Sequence, residues 1–177
     1  MTRTVFRLAA SLALLSTSQL QAAAPVPAHP CMSPAELRGM VAYVLPSAMS
    51  TLIERCRPGL PKGASLLGRG GQLLAEFEAG RAAAFPLARQ AFAKFSDTGD
   101  KNTTAIMLTM PDETLRPIVD DTLATKLVGS IAVKDCADID QVFATLTPMP
   151  ASNFIDLITQ VVTIGARDDK KMSVCPA

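Results

Sequence analysis

Histidine is almost missing from this chain: among 177 residues there is one, His29. A Ser-His-Asp or Cys-His nucleophile needs an imidazole as its base, and His29 sits in a short lead-in beside an expected cleavage region. The sequence therefore offers no candidate catalytic residue. An excess of either charge is missing too, with 17 Lys and Arg against 16 Asp and Glu. That balance argues against nucleic acid or an anionic membrane face as a partner. Beyond the first two dozen residues, no apolar run approaches the roughly 20 residues that span a bilayer. No transmembrane segment is expected in the mature chain.

Close pairs of metal ligands are missing as well. Zinc sites use spacings such as Cys-x-x-Cys supplemented by histidine, whereas Cys31, Cys56, Cys136 and Cys175 stand far apart. No metal or cofactor site is predicted. Asp97-Thr98-Gly99 matches the tripeptide of aspartic proteases, but Asp100 follows where Ser or Thr is needed and the context is helical. Asp97, Asp100 and Asn102 lack the alternating ligands, central glycine and terminal glutamate of a calcium loop. Gly68-Arg69-Gly70-Gly71 lacks the Lys-Ser/Thr of a phosphate loop and does not follow a strand. Close helix approach or a helix break is its plain explanation.

What is present begins with a signal. Arg3 and Arg7 precede the apolar run LAASLALLS at 8–16, and QAAA at 21–24 supplies small residues for cleavage. That order reads as a secretory signal peptide over residues 1–24, cut near Ala22–Ala24. A flexible segment, 25–32, leads to a helical domain, 33–177, with a tail at 166–177. The expected location is periplasmic or secreted. Without Arg3 and Arg7 the 17 basic residues become 15, against 16 acidic. An even cysteine count in an exported chain favours disulfides.

Apolar spacing is helical almost throughout. Ser33-Pro34-Ala35-Glu36 is a capping box with proline in the first turn. Leu37, Val41, Val44, Leu45, Ala48, Leu52 and Cys56 form the buried face of that first helix, and Pro46 predicts a kink or break. A second region, 64–95, carries Leu66, Leu73, Phe77, Phe85, Phe92 and Phe95. The glycines at 68, 70 and 71 weaken it, and Pro86 interrupts it, leaving room for two helices rather than one. Arg81, Arg89 and Lys94 are assigned to its outer side, as a solvated face or one open to an acidic partner. Residues 96–104 read as a loop.

A third helix starts at Asp112-Glu113 and places Leu115, Val119, Leu123, Leu127 and Ile131 four apart. Asp135 caps a fourth, with Ile139, Val142, Phe143 and Leu146 facing inward, and Asp138 and Asp140 offsetting its dipole. Asp120 and Asp121, adjacent on a helix, cannot share a site. A fifth helix buries Phe154, Leu157, Ile158, Val161 and Val162.

The fold predicted is an all-α, single-domain bundle of about five to seven short helices, up and down, stapled by two disulfides. An unbroken helix over 33–56 separates Cys31 from Cys56 by about 35 Å, while a disulfide needs α-carbons within about 7 Å. In an up-and-down path Cys136 arrives beside Cys56, and Cys31 is left for Cys175. The expected pairs are Cys56 with Cys136 and Cys31 with Cys175. For function, the expectation is a non-enzymatic module that binds an unidentified protein, as adaptor, inhibitor or assembly factor. The alternative is a small-molecule or lipid carrier with an apolar cavity between helices kinked at Pro46 and Pro86.

Overall fold

The computed structural model describes residues 31–95, 101–128, 131–146, 148–166 and 173–175. The signal segment, His29 and the Asp97-Thr98-Gly99 tripeptide lie outside these residues. Six helices follow in order: α1 (Pro34–Cys56), α2 (Ser65–Phe95), α3 (Lys101–Thr109), α4 (Asp112–Val128), α5 (Cys136–Leu146) and α6 (Ala151–Gly165). The chain is all-α, and among the described residues no strand forms; an isolated bridge pairs Met32 with Val174.

The capping box at the start of α1 forms as its residues dictate. Ser33 N–H donates to Glu36 Oε2 at 2.7 Å, and Glu36 N–H donates to Ser33 Oγ at 3.2 Å. Glu36 then serves a second purpose. Lys94 Nζ, at the end of α2, donates to both its oxygens at 2.8 and 2.7 Å and to the Cys31 carbonyl at 3.1 Å.

α1 and α2 form an antiparallel hairpin. Contacts run in reverse order along the two helices: Glu36 with Lys94, Gly39 with Leu87, Tyr43 with Phe85, Ser47 with Arg81, Ile53 with Gly70. α2 is a single helix of 31 residues, not two. The glycine run does not break it: Gly70 is buried, and a Cβ added there would meet Ile53 and Met49 of α1 at 3.5 and 3.6 Å. Packing along its whole length outweighs the propensity cost of the glycines and the hydrogen bond lost at Pro86. Pro46 in α1 and Pro117 in α4 are likewise carried inside unbroken helices.

Two clusters make the core. The first joins the N-terminal half of α1 to the C-terminal half of α2 and to Leu115 and Val119 of α4. The second joins the C-terminal half of α1 and the N-terminal half of α2 to α5 and α6, through Cys56, Leu66, Phe77, Phe143 and Phe154. One disulfide serves each cluster. Cys31 bonds Cys175 with α-carbons 5.1 Å apart, and Cys56 bonds Cys136 at 5.4 Å, the pairs that the antiparallel path predicts.

Several expectations need correction. Lys101–Thr109 is helical, so the second half of the polar stretch 96–104 belongs to α3. Met32, placed in the flexible lead-in, is 1% exposed. Its N–H and C=O bond Ser173 and Cys175 at 2.8 Å each, tying down the tail. Val142 and Val161, expected inside, are 62% and 58% exposed. Thr159 is buried instead, its hydroxyl satisfied by the Ile155 carbonyl at 2.8 Å.

The three cations assigned to an outer face are ties between helices. Arg81 reaches Asp120 of α4 at 2.6 Å and Ser47 of α1 at 2.9 Å, with its guanidinium 4.8 Å over the Tyr43 ring. Arg89 binds Asp112 at 2.7 Å, the Met110 carbonyl at 2.7 Å and the Leu108 carbonyl, stitching the α3–α4 junction. Lys94 closes on Glu36. Periodicity placed these residues beside the apolar stripe, and their long stems carry the charge across it. Asp140 also differs from expectation: its Oδ1 accepts from Leu66 N–H of α2 at 2.7 Å. It caps a neighbour's free N-terminus rather than merely offsetting its own helix dipole.

Candidate functional site

Most of the residues weighed individually in the sequence do not converge. Asp120 is engaged by Arg81, and Asp121 is exposed and separate from it. The glycine run is helical and presents no nest of N–H groups. Asn102 lies in α3, its side chain outside the described residues. Among the described residues no group of three His, Cys, Asp or Glu side chains could hold a metal ion. Among the described residues no helix is long and apolar enough to cross a membrane.

The structure instead assembles a site from residues that sequence reading treated as core. An apolar pocket of about 490 Å³ opens between α1, α5 and α6. Leu45, Ala48, Met49 and Leu52 line it from α1, in the turns around and after Pro46. Ile139, Val142, Phe143 and Leu146 line it from α5, and Phe154 and Ile158 from α6. On a helix these spacings of three and four place each set on one face. Thus α5 directs toward the pocket the face expected to be buried, and Val142 is exposed because it stands at the mouth.

The site follows from how α5 and α6 are held. The Cys56–Cys136 disulfide fixes the start of α5 against the end of α1. Asp140 holds the next turn to the start of α2. α6 is anchored to α1 by Arg38 and Asp156 at 2.6 Å, and Phe154 packs on Phe77 and Phe143 with ring centroids 5.7 and 6.0 Å apart. These anchors are spread along α1, from Arg38 near its start to Cys56 at its end, and between them part of the apolar faces of the three helices stays open as the pocket. Beyond the pocket, the stripe through Phe154 and Ile158 continues along α6 to Val161, and Ile164 is also exposed, at 59%.

Among the described residues, Asp135, in the 3₁₀ turn before α5, and Asp138, in its first turn, are the two charged residues lining the pocket. The cavity was expected between the turns at Pro46 and Pro86. It lies beside Pro46, and no residue of α2 lines it. Pro86 itself is exposed on the far part of α2.

Fold and site thus define a class: a helical protein stapled by two disulfides, with an open apolar pocket between α1, α5 and α6. No protein-family model, curated protein or solved structure matches the chain.

Proposed function

We propose that this is an exported, non-enzymatic binding protein that carries an apolar small molecule or the tail of a lipid between α1, α5 and α6. The observation that carries the reading is the pocket. Its volume of about 490 Å³ falls within the roughly 300–1,000 Å³ of small-molecule sites, which are lined mainly by hydrophobic side chains. Its walls are aliphatic, aromatic and thioether groups that bind by excluding water. Export is supported by the order of residues 1–24 and by two disulfides, which persist in oxidising compartments.

Native mass spectrometry of the protein, gently purified from its own compartment, tests the carrier reading. A bound small molecule is expected, and Ala48→Phe, which pushes a ring into the pocket, should release it. A protein that remains ligand-free, and that takes up no alkyl probe in vitro, would overturn the reading. N-terminal sequencing of the same material tests export. The expected first residue lies just after Ala22–Ala24; an intact N-terminus in the cytoplasmic fraction refutes it.

A second reading, a module that binds another protein, is favoured by one specific observation. Val142, Val161 and Ile164 expose apolar surface beside the pocket, as a groove for an amphipathic helix does. Cross-linking in the native compartment separates the two readings: a defined protein adduct through α5 or α6 supports the second.

A further inference from the structure

The two disulfides stand in different surroundings. Cys56 and Cys136 are 0% and 1% exposed and belong to the second core cluster, with Leu66 and Phe143. Cys31 and Cys175 are both part-exposed, next in sequence to Met32 and Val174 of the first cluster. Thiol–disulfide exchange begins with a thiolate reaching a sulfur, so access decides which bond can be cut while the protein stays folded. The Cys31–Cys175 bond offers that access and the Cys56–Cys136 bond does not.

What each bond holds differs as well. Cys56–Cys136 joins two helices, and the start of α5 is held a second time by Asp140 on the Leu66 N–H. Cys31–Cys175 joins the lead into α1 to the segment 173–175. With described residues that segment makes two hydrogen bonds, both at 2.8 Å: Met32 N–H donates to the Ser173 carbonyl, and Cys175 N–H donates to the Met32 carbonyl. Val174, between them, packs on the cluster that holds Met32. Cys31 is fixed independently from α2, where Lys94 donates to its carbonyl at 3.1 Å while holding Glu36. Cutting the bond therefore leaves Cys31 in place and frees residues 173–175. Met32, 1% exposed with that segment paired to it, loses cover. α6 keeps its own ties, through Asp156 to Arg38 and through Phe154 to Phe77 and Phe143.

We infer that Cys31–Cys175 is a redox-operated clasp, opened in the folded protein by a dithiol reductant, whereas Cys56–Cys136 is a fixed staple. A thiolate of the reductant attacks one sulfur of the clasp; the S–S bond breaks, a mixed disulfide forms and the departing sulfur takes up a proton. The reductant's second thiol, losing its proton, then displaces the other cysteine sulfur, which is protonated in turn. Cys31 and Cys175 end as two thiols and the reductant as a disulfide. The redox poise of the compartment thus sets whether the Met32 edge is covered, and the pocket end is the same in both states.

The test uses the full chain with both disulfides formed, dithiothreitol as the reductant, iodoacetamide to trap thiols and peptide mapping by mass spectrometry. Under native conditions Cys31 and Cys175 should be trapped at least about a hundredfold faster than Cys56 and Cys136, which react only on unfolding. The trapped protein is then treated briefly with hydrogen peroxide, which oxidises accessible methionine. Met32 should oxidise about tenfold faster than in the intact protein, while Met49, in the other cluster, is unchanged. Cys31→Ser with Cys175→Ser should show the same Met32 sensitivity without reductant. Equal trapping of the two pairs, faster trapping of Cys56 and Cys136, or no trapping short of denaturation overturns the inference. Selective trapping that leaves Met32 protected overturns it too, because nothing has opened. Exposure of Met49 together with Met32 does the same, because the bond then supports the whole fold. If the double variant fails to fold, the trapped wild-type protein, read at Met32 and Met49, still decides.

Discussion

The two ends of the α1–α2 hairpin are built from similar apolar residues but finished differently. At one end, around Tyr43 and Phe85, helices approach closely and charged side chains cross between them: Glu36 with Lys94, Arg81 with Asp120, Arg89 with Asp112. The Cys31–Cys175 bond clasps the tail over this end. At the other, around Phe143 and Phe154, helices meet at a disulfide and a cap and then diverge, leaving a pocket. Closure of the first end follows from size as well as charge. A Cβ on Gly39 would stand 2.4 Å from the Leu87 Cβ, so α1 and α2 touch nearly backbone to backbone there. The second end has no such pair, and larger side chains, Phe143 and Phe154 among them, line the space left between α1, α5 and α6.

The disulfides separate the two ends most strongly. Each closes a long loop, of 144 and 80 residues, so removing either should cost about 4–5 kcal/mol in the chain-entropy account. Their effects on the pocket should differ. Cys56→Ser with Cys136→Ser frees the start of α5 and should abolish probe binding, whereas Cys31→Ser with Cys175→Ser should lower the denaturation midpoint and leave binding intact. Denaturant melts paired with calorimetry measure both. Loss of binding in both variants would show that the two ends are not independent.

Next comes the buried ion pair at the closed end. Lys94→Met strands the Glu36 carboxylate against Ser33 alone and should destabilise by about 2 kcal/mol. Burial by itself raises the Glu36 pKa, but hydrogen bonds from Lys94 and Ser33 outweigh it and hold the carboxyl below 4.5. A depressed carboxyl stabilises fully above its unfolded value. That contribution is lost as pH falls through the folded value, so wild type should weaken in acid below about pH 4.5. Lys94→Met should show a shallower acid dependence in the same melts, and an unchanged profile would deny the pair its role.

Glycine substitutions give smaller effects of opposite sign. Gly39→Ala should destabilise by about 1–3 kcal/mol through overpacking against Leu87. Gly71→Ala, with open space around its Cβ position, should stabilise by about 0.5–1 kcal/mol by removing backbone entropy from the unfolded chain. Equal outcomes at the two sites would contradict the difference in helix approach.

The last prediction changes no stability at neutral pH. The chain has one tyrosine and no tryptophan, so its near-ultraviolet phenol signal reports Tyr43 and hence the closed end alone. Burial, with the Asp120 carboxylate beside it, pushes the phenol up to about 12. Phenolate absorbance should stay absent at pH 10, where a free tyrosine is half ionised. Stability should fall as pH rises from about 10 toward 12, because the unfolded phenol ionises first. Ligand entering the pocket should leave this signal untouched.

Much of the fold was legible in the sequence because it rests on local signals. The capping box at Ser33, the apolar spacing of Leu115 and Val119, and the stops before α2 and α6 are each read within a few residues. The disulfide pairs were legible one step further, since helix length and direction decide which cysteines meet. The failures share a cause. Arg81, Arg89, Lys94 and Asp140 each bind a partner dozens of residues away, and nothing within a turn of them marks that partner. Continuity of α2 through Gly68–Gly71 was hidden for the same reason, since Ile53 and Met49 supply the packing. The pocket was anticipated only as a cavity between helices kinked at Pro46 and Pro86, and α2, which carries Pro86, does not line it. Its walls looked like core, because periodicity says which residues share a face but not whether the facing helix closes on it.

By itself, then, the sequence determined most of the helices, the main part of their amphipathic faces and the covalent connections. These are set by backbone hydrogen bonding, capping and chain reach, which act over short stretches or depend on length alone. Only the tertiary structure decided which end of the hairpin closes and which stays open. That outcome depends on side-chain volumes meeting across helices: Gly39 lets α1 and α2 close on each other at Leu87, whereas Phe143 and Phe154 pack together and line a gap beside α1.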